Sequence, residues 1–229
     1  MTLIEHLEEL RRVLIVSLSA WGIGTVVGTV LSDYVITLLS RPLLFLHLKP
    51  VYFSPMGYFS VHLKVGLAVG LVLSLPVLLQ QVWSFVAPGL KPAEKRFAGP
   101  LLVSSLGLFA AGAGLAYFFL YIAVRIIDAV SHGSLTYLPE INSYLGFILL
   151  LMLAFGITFE FPVALVLLSL TGLVSSAKLR RWRKGAILVI AAVGYVVTPG
   201  VDPVTPLALI VPLLFLYEAS ILIIRRLGH

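Results

Sequence analysis

Three carboxylates in this chain stand where a carboxylate is unusual. Glu94 lies in the stretch Phe85–Arg96 (F-V-A-P-G-L-K-P-A-E-K-R), which breaks an apolar run at Pro88-Gly89 and sets its one acid among Lys91, Lys95 and Arg96. Glu9 lies near the N-terminus, close to Arg11 and Arg12. Glu160 stands deep in an apolar stretch, in the run Phe159-Glu160-Phe161-Pro162. A carboxylate among cations at the mouth of an apolar span is either a solvated loop charge or a docking point for an incoming positive group. Two such acids suit two guanidinium groups, because a guanidinium is a planar fork of donors that a carboxylate accepts bidentately and lysine cannot copy. Exposed ion pairs contribute only about 0–1 kcal/mol each, so one glutamate alone would be a poor receptor. Glu9 and Glu94, partly shielded by a membrane interface, could each engage one guanidinium. The neighbouring cations would then repel positive groups that make no such bidentate match.

Glu160 poses a different problem. Facing lipid, an acid at that depth costs a few kcal/mol or more. It should therefore face a protein interior or a water-filled hollow, with Pro162 removing a backbone donor and bending the helix nearby. An internal hydrogen bond or an ion pair, for instance with Lys64, weighs evenly against a functional role. Glu218 is expected to pack beside Arg225-Arg226. Other chemistry is sparse. The five histidines show no metal-binding spacing, and neither a nucleophile elbow nor a phosphate-cradling loop occurs. Cysteine is absent, which removes disulfides and thiolate metal sites. Neither an enzyme nor a cofactor is expected.

The elements that must position these acids follow from composition. Hydrophobic residues make up 60% of the 229 and charged ones 11%, with the charges clustered between apolar runs near the ~20 residues that span a bilayer as helix. This predicts an all-α, multi-pass integral membrane protein rather than a soluble or nucleic-acid-binding one, despite the net charge of +6. No basic segment followed by a short apolar core and a small-residue cleavage site opens the chain, so no removable signal is expected. Thr2-Leu3-Ile4-Glu5 has the form of a capping box, and Leu3, Leu7, Leu10 and Leu14 recur at helical spacing. That predicts a surface helix running into a first span near 13–31. Further spans are expected near 61–86, 100–122, 143–170, 185–197 and 207–224, all within one domain, 1–229. A polar connection marked by Asp33, Arg41-Pro42, His47 and Lys49-Pro50 separates the first two.

Counted by loop, twelve of the 16 Lys and Arg fall on the side of the N-terminus, which predicts six spans with both ends cytoplasmic. The fifth and sixth spans are short; thirteen residues rise only ~20 Å against a hydrocarbon core of ~30 Å. Gly22, Gly24 and Gly28, like Gly107, Gly112 and Gly114, are small residues at helical spacing and are expected to permit close helix packing. Pro42, Pro76 and Pro162 are candidate kinks.

These residues also carry a resemblance. His6-Leu7-Glu8-Glu9-Leu10-Arg11 resembles the H-L-x-E-L-R pattern of the TatC family, the multispanning component of the twin-arginine protein translocase. Pro76 to Pro88 with Glu94-Lys95-Arg96 resembles that family's second span and first cytoplasmic loop, and Phe155 to Pro162 matches its F-G-x-x-F-E-x-P motif. The resemblance covers essentially the whole chain on the same six-span plan. It implies a receptor for signal peptides bearing consecutive arginines, working in an oligomeric complex with TatA- and TatB-like single-span partners in a bacterial or archaeal plasma membrane. The proton gradient would drive export of folded cargo. Glu9, Arg11, Glu94 and Phe85 match family positions for the signal. Pro42, Gln81, Glu160 and Asp202 match positions tied to transport or partners, with Glu160 on a concave membrane face. Departures occur: Ala93 replaces a commonly polar residue, Thr198–Asp202 has one residue more than the usual T-P-P-D, and Pro206 stands where glutamine is frequent. A proton-coupled small-solute transporter using Glu160 is the alternative from another class, though no clear inverted repeat is visible. A passive assembly scaffold is a third.

Overall fold

The computed structural model describes residues 3–45, 48–86, 95–131, 138–197 and 204–227. Among them the chain forms nine helices and one 3₁₀ turn at Lys95–Phe97. They are α1 (Leu3–Val30), α2 (Ser32–Phe45), α3 (Pro55–Val86), α4 (Ala98–Ser131), α5 (Ile141–Phe159), α6 (Phe161–Leu170), α7 (Ser176–Arg181), α8 (Arg183–Val197) and α9 (Val204–Arg226). Five stretches are long and apolar enough to cross a bilayer: Leu7–Val30, Pro55–Val86, Ala98–Arg125, Ile141–Leu170 and Pro206–Arg226. The remaining span, α8, has 15 residues and rises only about 22 Å, the shortness expected of span five. The sixth span is longer than its sequence bounds: α9 runs 23 residues, starting three residues earlier at Val204 and continuing through Arg225 and Arg226.

One compact unit comprises Met1–Phe85 with Ala116–Leu150. Its seam is made of glycine. A side chain on Gly24 would meet the Gly70 carbonyl at 2.6 Å, and one on Gly28 would meet the Gly66 carbonyl at 2.6 Å. Two glycines four apart on α1 therefore face two glycines four apart on α3, and only hydrogen at each lets the backbones approach this closely. Trp21 Nε1 donates across the same seam to the Leu67 carbonyl at 3.0 Å. Gly22 takes no part, since a side chain there would meet nothing within 4 Å.

The expected polar connection after α1 is largely helical. In α2, Leu39, Ser40, Pro42 and Leu43 are buried although Arg41 interrupts the run. Pro42 has no N–H for the Leu38 carbonyl four residues back, and the Tyr117 hydroxyl donates to that carbonyl at 3.1 Å. Tyr144 donates to the next carbonyl, Leu39, at 3.0 Å. A tyrosine pair thus holds a proline-broken helix that its own ladder cannot complete. Before α3 and α5 the chain forms a single parallel bridge, with Val51 N–H donating to Pro139 and Ile141 N–H donating to Val51, both at 3.0 Å.

The other unit comprises Val86–Leu115 with Leu151–His229. Here α4 and α5 meet where a side chain on Gly112 would strike the Phe155 carbonyl at 2.6 Å and one on Gly156 would strike the Phe109 ring. Gly107 and Gly114, expected to do the same, would meet nothing within 4 Å. Leu209, Leu213, Tyr217 and Ile221 recur every fourth residue and form the buried face of α9. Gly172 sits at φ +79, just past α6; its N–H donates to the Ser169 carbonyl at 2.9 Å, and Leu173 N–H reaches back to Leu168 at 3.1 Å. This left-handed cap satisfies carbonyls the ending helix would leave bare. Ser175 Oγ then accepts from Lys178 N–H at 3.3 Å to start α7.

Candidate functional site

Glu160 occupies the break between α5 and α6. Its N–H reaches only three residues back, to Ile157 at 3.0 Å, and Pro162 at the start of α6 offers no N–H to the Thr158 carbonyl. The chain is thereby bent at the acid. One carboxylate oxygen, Oε2, accepts from the Ser105 hydroxyl. The other, Oε1, is buried without a hydrogen-bond partner among the described residues. Beside it opens a cavity of about 320 Å³ whose lining includes Ile157, Thr158, Phe161, Val189, Val193 and Leu213. An apolar hollow with one unsatisfied carboxylate oxygen can accept a donor from outside. Lys64, the sequence candidate for an ion pair with Glu160, gives its ammonium to Asn142 Oδ1 at 2.8 Å within its own unit.

Glu9 is the seventh residue of α1. It is half-buried, and its Oε2 is buried with no partner among the described residues. Arg11 and Arg12, both exposed, line a shallow hollow of about 350 Å³ with Glu8, Ile15 and Val16, residues that share one face at helical spacing. Gln81 and Phe85, one turn apart and both half-buried, share a face at the end of α3, and the Gln81 carbonyl accepts from Ser84 Oγ at 2.8 Å. Glu94 and Asp202 lie outside the described residues. Pro42 is buried in α2, in the tyrosine-held break described above.

Glu218 is placed differently from expectation. Its Oε2 accepts from Arg183 Nη2 at 2.6 Å, not from the Arg225-Arg226 pair. Arg225 lies two helical turns further along α9, about 10 Å up the axis, whereas the start of α8 packs directly beside it. Ser105 and Arg183 were not singled out by sequence. A hydroxyl in the α4 apolar run was the available signal for Ser105; its bond to Glu160 spans 55 residues. Glu140, just before α5, accepts from the Ser143 N–H at 2.7 Å and from the Ser143 hydroxyl, which holds its carboxyl below the ordinary range. Among the described residues no cluster of His, Asp or Glu could hold a metal ion.

Long apolar helices, one short span and a bent span with an acid beside a cavity define a polytopic helical membrane protein. The model of the family described as Sec-independent protein translocase protein (TatC) matches residues 5–212. The TatC protein of Carboxydothermus hydrogenoformans is 37% identical over 226 residues, 98% of this chain and 93% of that protein. That of Aquifex aeolicus is 36% identical over 226 residues, covering 96% and 93%. Two crystal structures of the twin arginine translocase receptor TatC superpose with TM-scores of 0.81 and 0.82 at 35% and 36% identity, covering 98% and 96% of this chain and 100% and 99% of those. The chain belongs to the TatC family, with its six-span helical fold, and is a component of a Sec-independent protein translocase rather than an enzyme.

Proposed function

We propose that this chain is the signal receptor of a twin-arginine translocase. Glu9 and Glu94 each grip one guanidinium of an arginine pair, with Arg11 and Phe85 alongside, and the whole chain, 1–229, acts as one functional domain. Pro42, Gln81, Glu160 and Asp202 serve transport and the docking of TatA- and TatB-like single-span partners, in an oligomeric complex driven by the proton gradient. Both ends face the cytoplasm of a bacterial or archaeal plasma membrane, as the placement of Lys and Arg favours. The solved relatives bear the description of twin arginine translocase receptor, which supports the reading.

The observation that carries it is the buried, unpartnered Oε2 of Glu9. A buried carboxylate oxygen without a donor is costly, and an arriving guanidinium removes that cost while supplying a bidentate match. Photo-crosslinking from position 94 to a signal peptide tests the proposal, with the arginines replaced by lysines as control. The expected result is strong crosslinking to the Arg-Arg signal, weak crosslinking to the Lys-Lys signal, and loss in Glu9→Ala. Equal labelling of both peptides, or wild-type labelling in Glu9→Ala, would remove the basis of the reading.

A further inference from the structure

From the turn between α6 and α8 we infer a binding surface for anionic phospholipid headgroups. Within seven residues the chain places Lys178, Arg180, Arg181, Arg183 and Lys184, while no Asp or Glu occurs in sequence between Glu160 and Asp202. Arg183 is neutralised by Glu218 at 2.6 Å. Among the described residues the other four cations stand exposed with no carboxylate of the chain to balance them.

The position of Trp182 says which anion. It closes α7 between Arg181 and Arg183, leaves 63% of its surface exposed, and lies against Gly185, where a side chain would meet its ring at 3.3 Å. An exposed indole flanked by guanidinium groups is the composition of a membrane–water boundary, where an amphipathic ring sits at headgroup depth. One turn and a half further on, Leu188 is 72% exposed and begins the apolar, lipid-facing surface of α8. Cations on both sides of an indole, followed along α8 by exposed aliphatic side chains, match a headgroup above its acyl chains. The same surface meets the needs of α8, whose ~22 Å is shorter than the ~30 Å hydrocarbon core. Headgroups drawn to the cations hold the bilayer surface at the start of this short span. This inference stands on the membrane fold alone and does not depend on signal recognition.

The test uses the full chain in phosphatidylcholine vesicles carrying spin-labelled phosphatidylglycerol or phosphatidylcholine, and reads the ratio of their association with the protein. The wild type should prefer phosphatidylglycerol, and 0.5 M salt should weaken that preference. Arg181→Gln should lower the ratio by up to about fivefold, the worth of one cation beside an anionic leaflet. The double variant Lys178→Gln/Arg181→Gln should lower it further, and in a Trp21→Phe/Trp83→Phe background brominated phosphatidylglycerol should quench Trp182 more than brominated phosphatidylcholine does. A wild-type ratio in the double variant overturns the site. So does an equal fall in Arg225→Gln/Arg226→Gln, which would mark a general preference for basic surface. Displacement of the lipid by millimolar glycerol phosphate also overturns it, since that would mark a free-phosphate site.

Discussion

Proline interrupts a helix in each compact unit, and the two interruptions end differently. At Pro42 the carbonyl that loses its N–H, Leu38, receives the Tyr117 hydroxyl, and the next, Leu39, receives Tyr144. At Pro162 the bend presents Glu160, which keeps one oxygen on Ser105 and holds the other buried and unpartnered beside a 320 Å³ cavity. The first break is closed by the protein's own side chains and so fixes a shape. The second is left half-closed in an apolar hollow, which is the arrangement of a site. Local sequence alone, a proline one or two residues after a charged one in an apolar run, does not separate the two cases; the partners do.

The largest expected effect separates them by function. Glu160→Leu removes a half-satisfied buried acid from an apolar cavity, so the unfolding midpoint in detergent micelles should stay level or rise. Export of a twin-arginine reporter should nevertheless fall at least tenfold. A parallel loss of both would show that Glu160, like Tyr117, acts through the fold. Tyr117→Phe should show the opposite pattern. It leaves the Leu38 carbonyl bare at a cost of about 1–3 kcal/mol in stability, and export should follow the folded fraction. Pro42→Ala restores an N–H for that carbonyl, so Tyr117→Phe on the Pro42→Ala background should cost about 1 kcal/mol less than alone. Additive costs in this cycle would show that the tyrosine does not complete the proline's break.

How much was legible in sequence follows from which interactions are local. The long spans are legible where apolar runs stop at charge or proline clusters, as α1 does at Val30, α3 at Val86 and α6 at Leu170, whereas α4 runs on to Ser131, past the 122 expected. The position of Glu160 at a bend was likewise written in Glu160-Phe161-Pro162. The helix α2 was not, because Asp33, Arg41 and Pro42 are turn-like signals locally, and the tyrosines that override them lie 79 and 105 residues away. Glycine spacing identified Gly24, Gly28 and Gly112 as close-packing positions but could not distinguish them from Gly22, Gly107 and Gly114, which face open space. Spacing gives the face of a helix, not what lies opposite. Glu218 failed for the same reason, its partner Arg183 being 35 residues distant.

Smaller effects sharpen the contrast between closed and open groups. Gly172 caps α6 at φ +79, a conformation that costs a side-chain-bearing residue about 1–2 kcal/mol. Gly172→Ala should lower stability by that amount and leave export per folded molecule unchanged, since a side chain there would meet nothing within 4 Å.

The smallest effect compares two acids. Glu140, unlike Glu160, accepts from both the hydroxyl and the N–H of Ser143, and its carboxyl is held below the ordinary value of 4.5 chiefly by that hydroxyl. A group with a depressed folded pKa contributes stability above its unfolded value and loses it as pH falls through the folded one. Glu140→Gln should therefore melt below the wild type at pH 7, with a gap that stays constant down to about pH 5 and closes as the pH drops below 4.5. Because Glu140 is exposed to solvent, the gap should be small and shrink in high salt. A gap that widened on acidification would mean that protonation, not ionisation, is favoured in the fold, and that Glu140 is as poorly satisfied as Glu160.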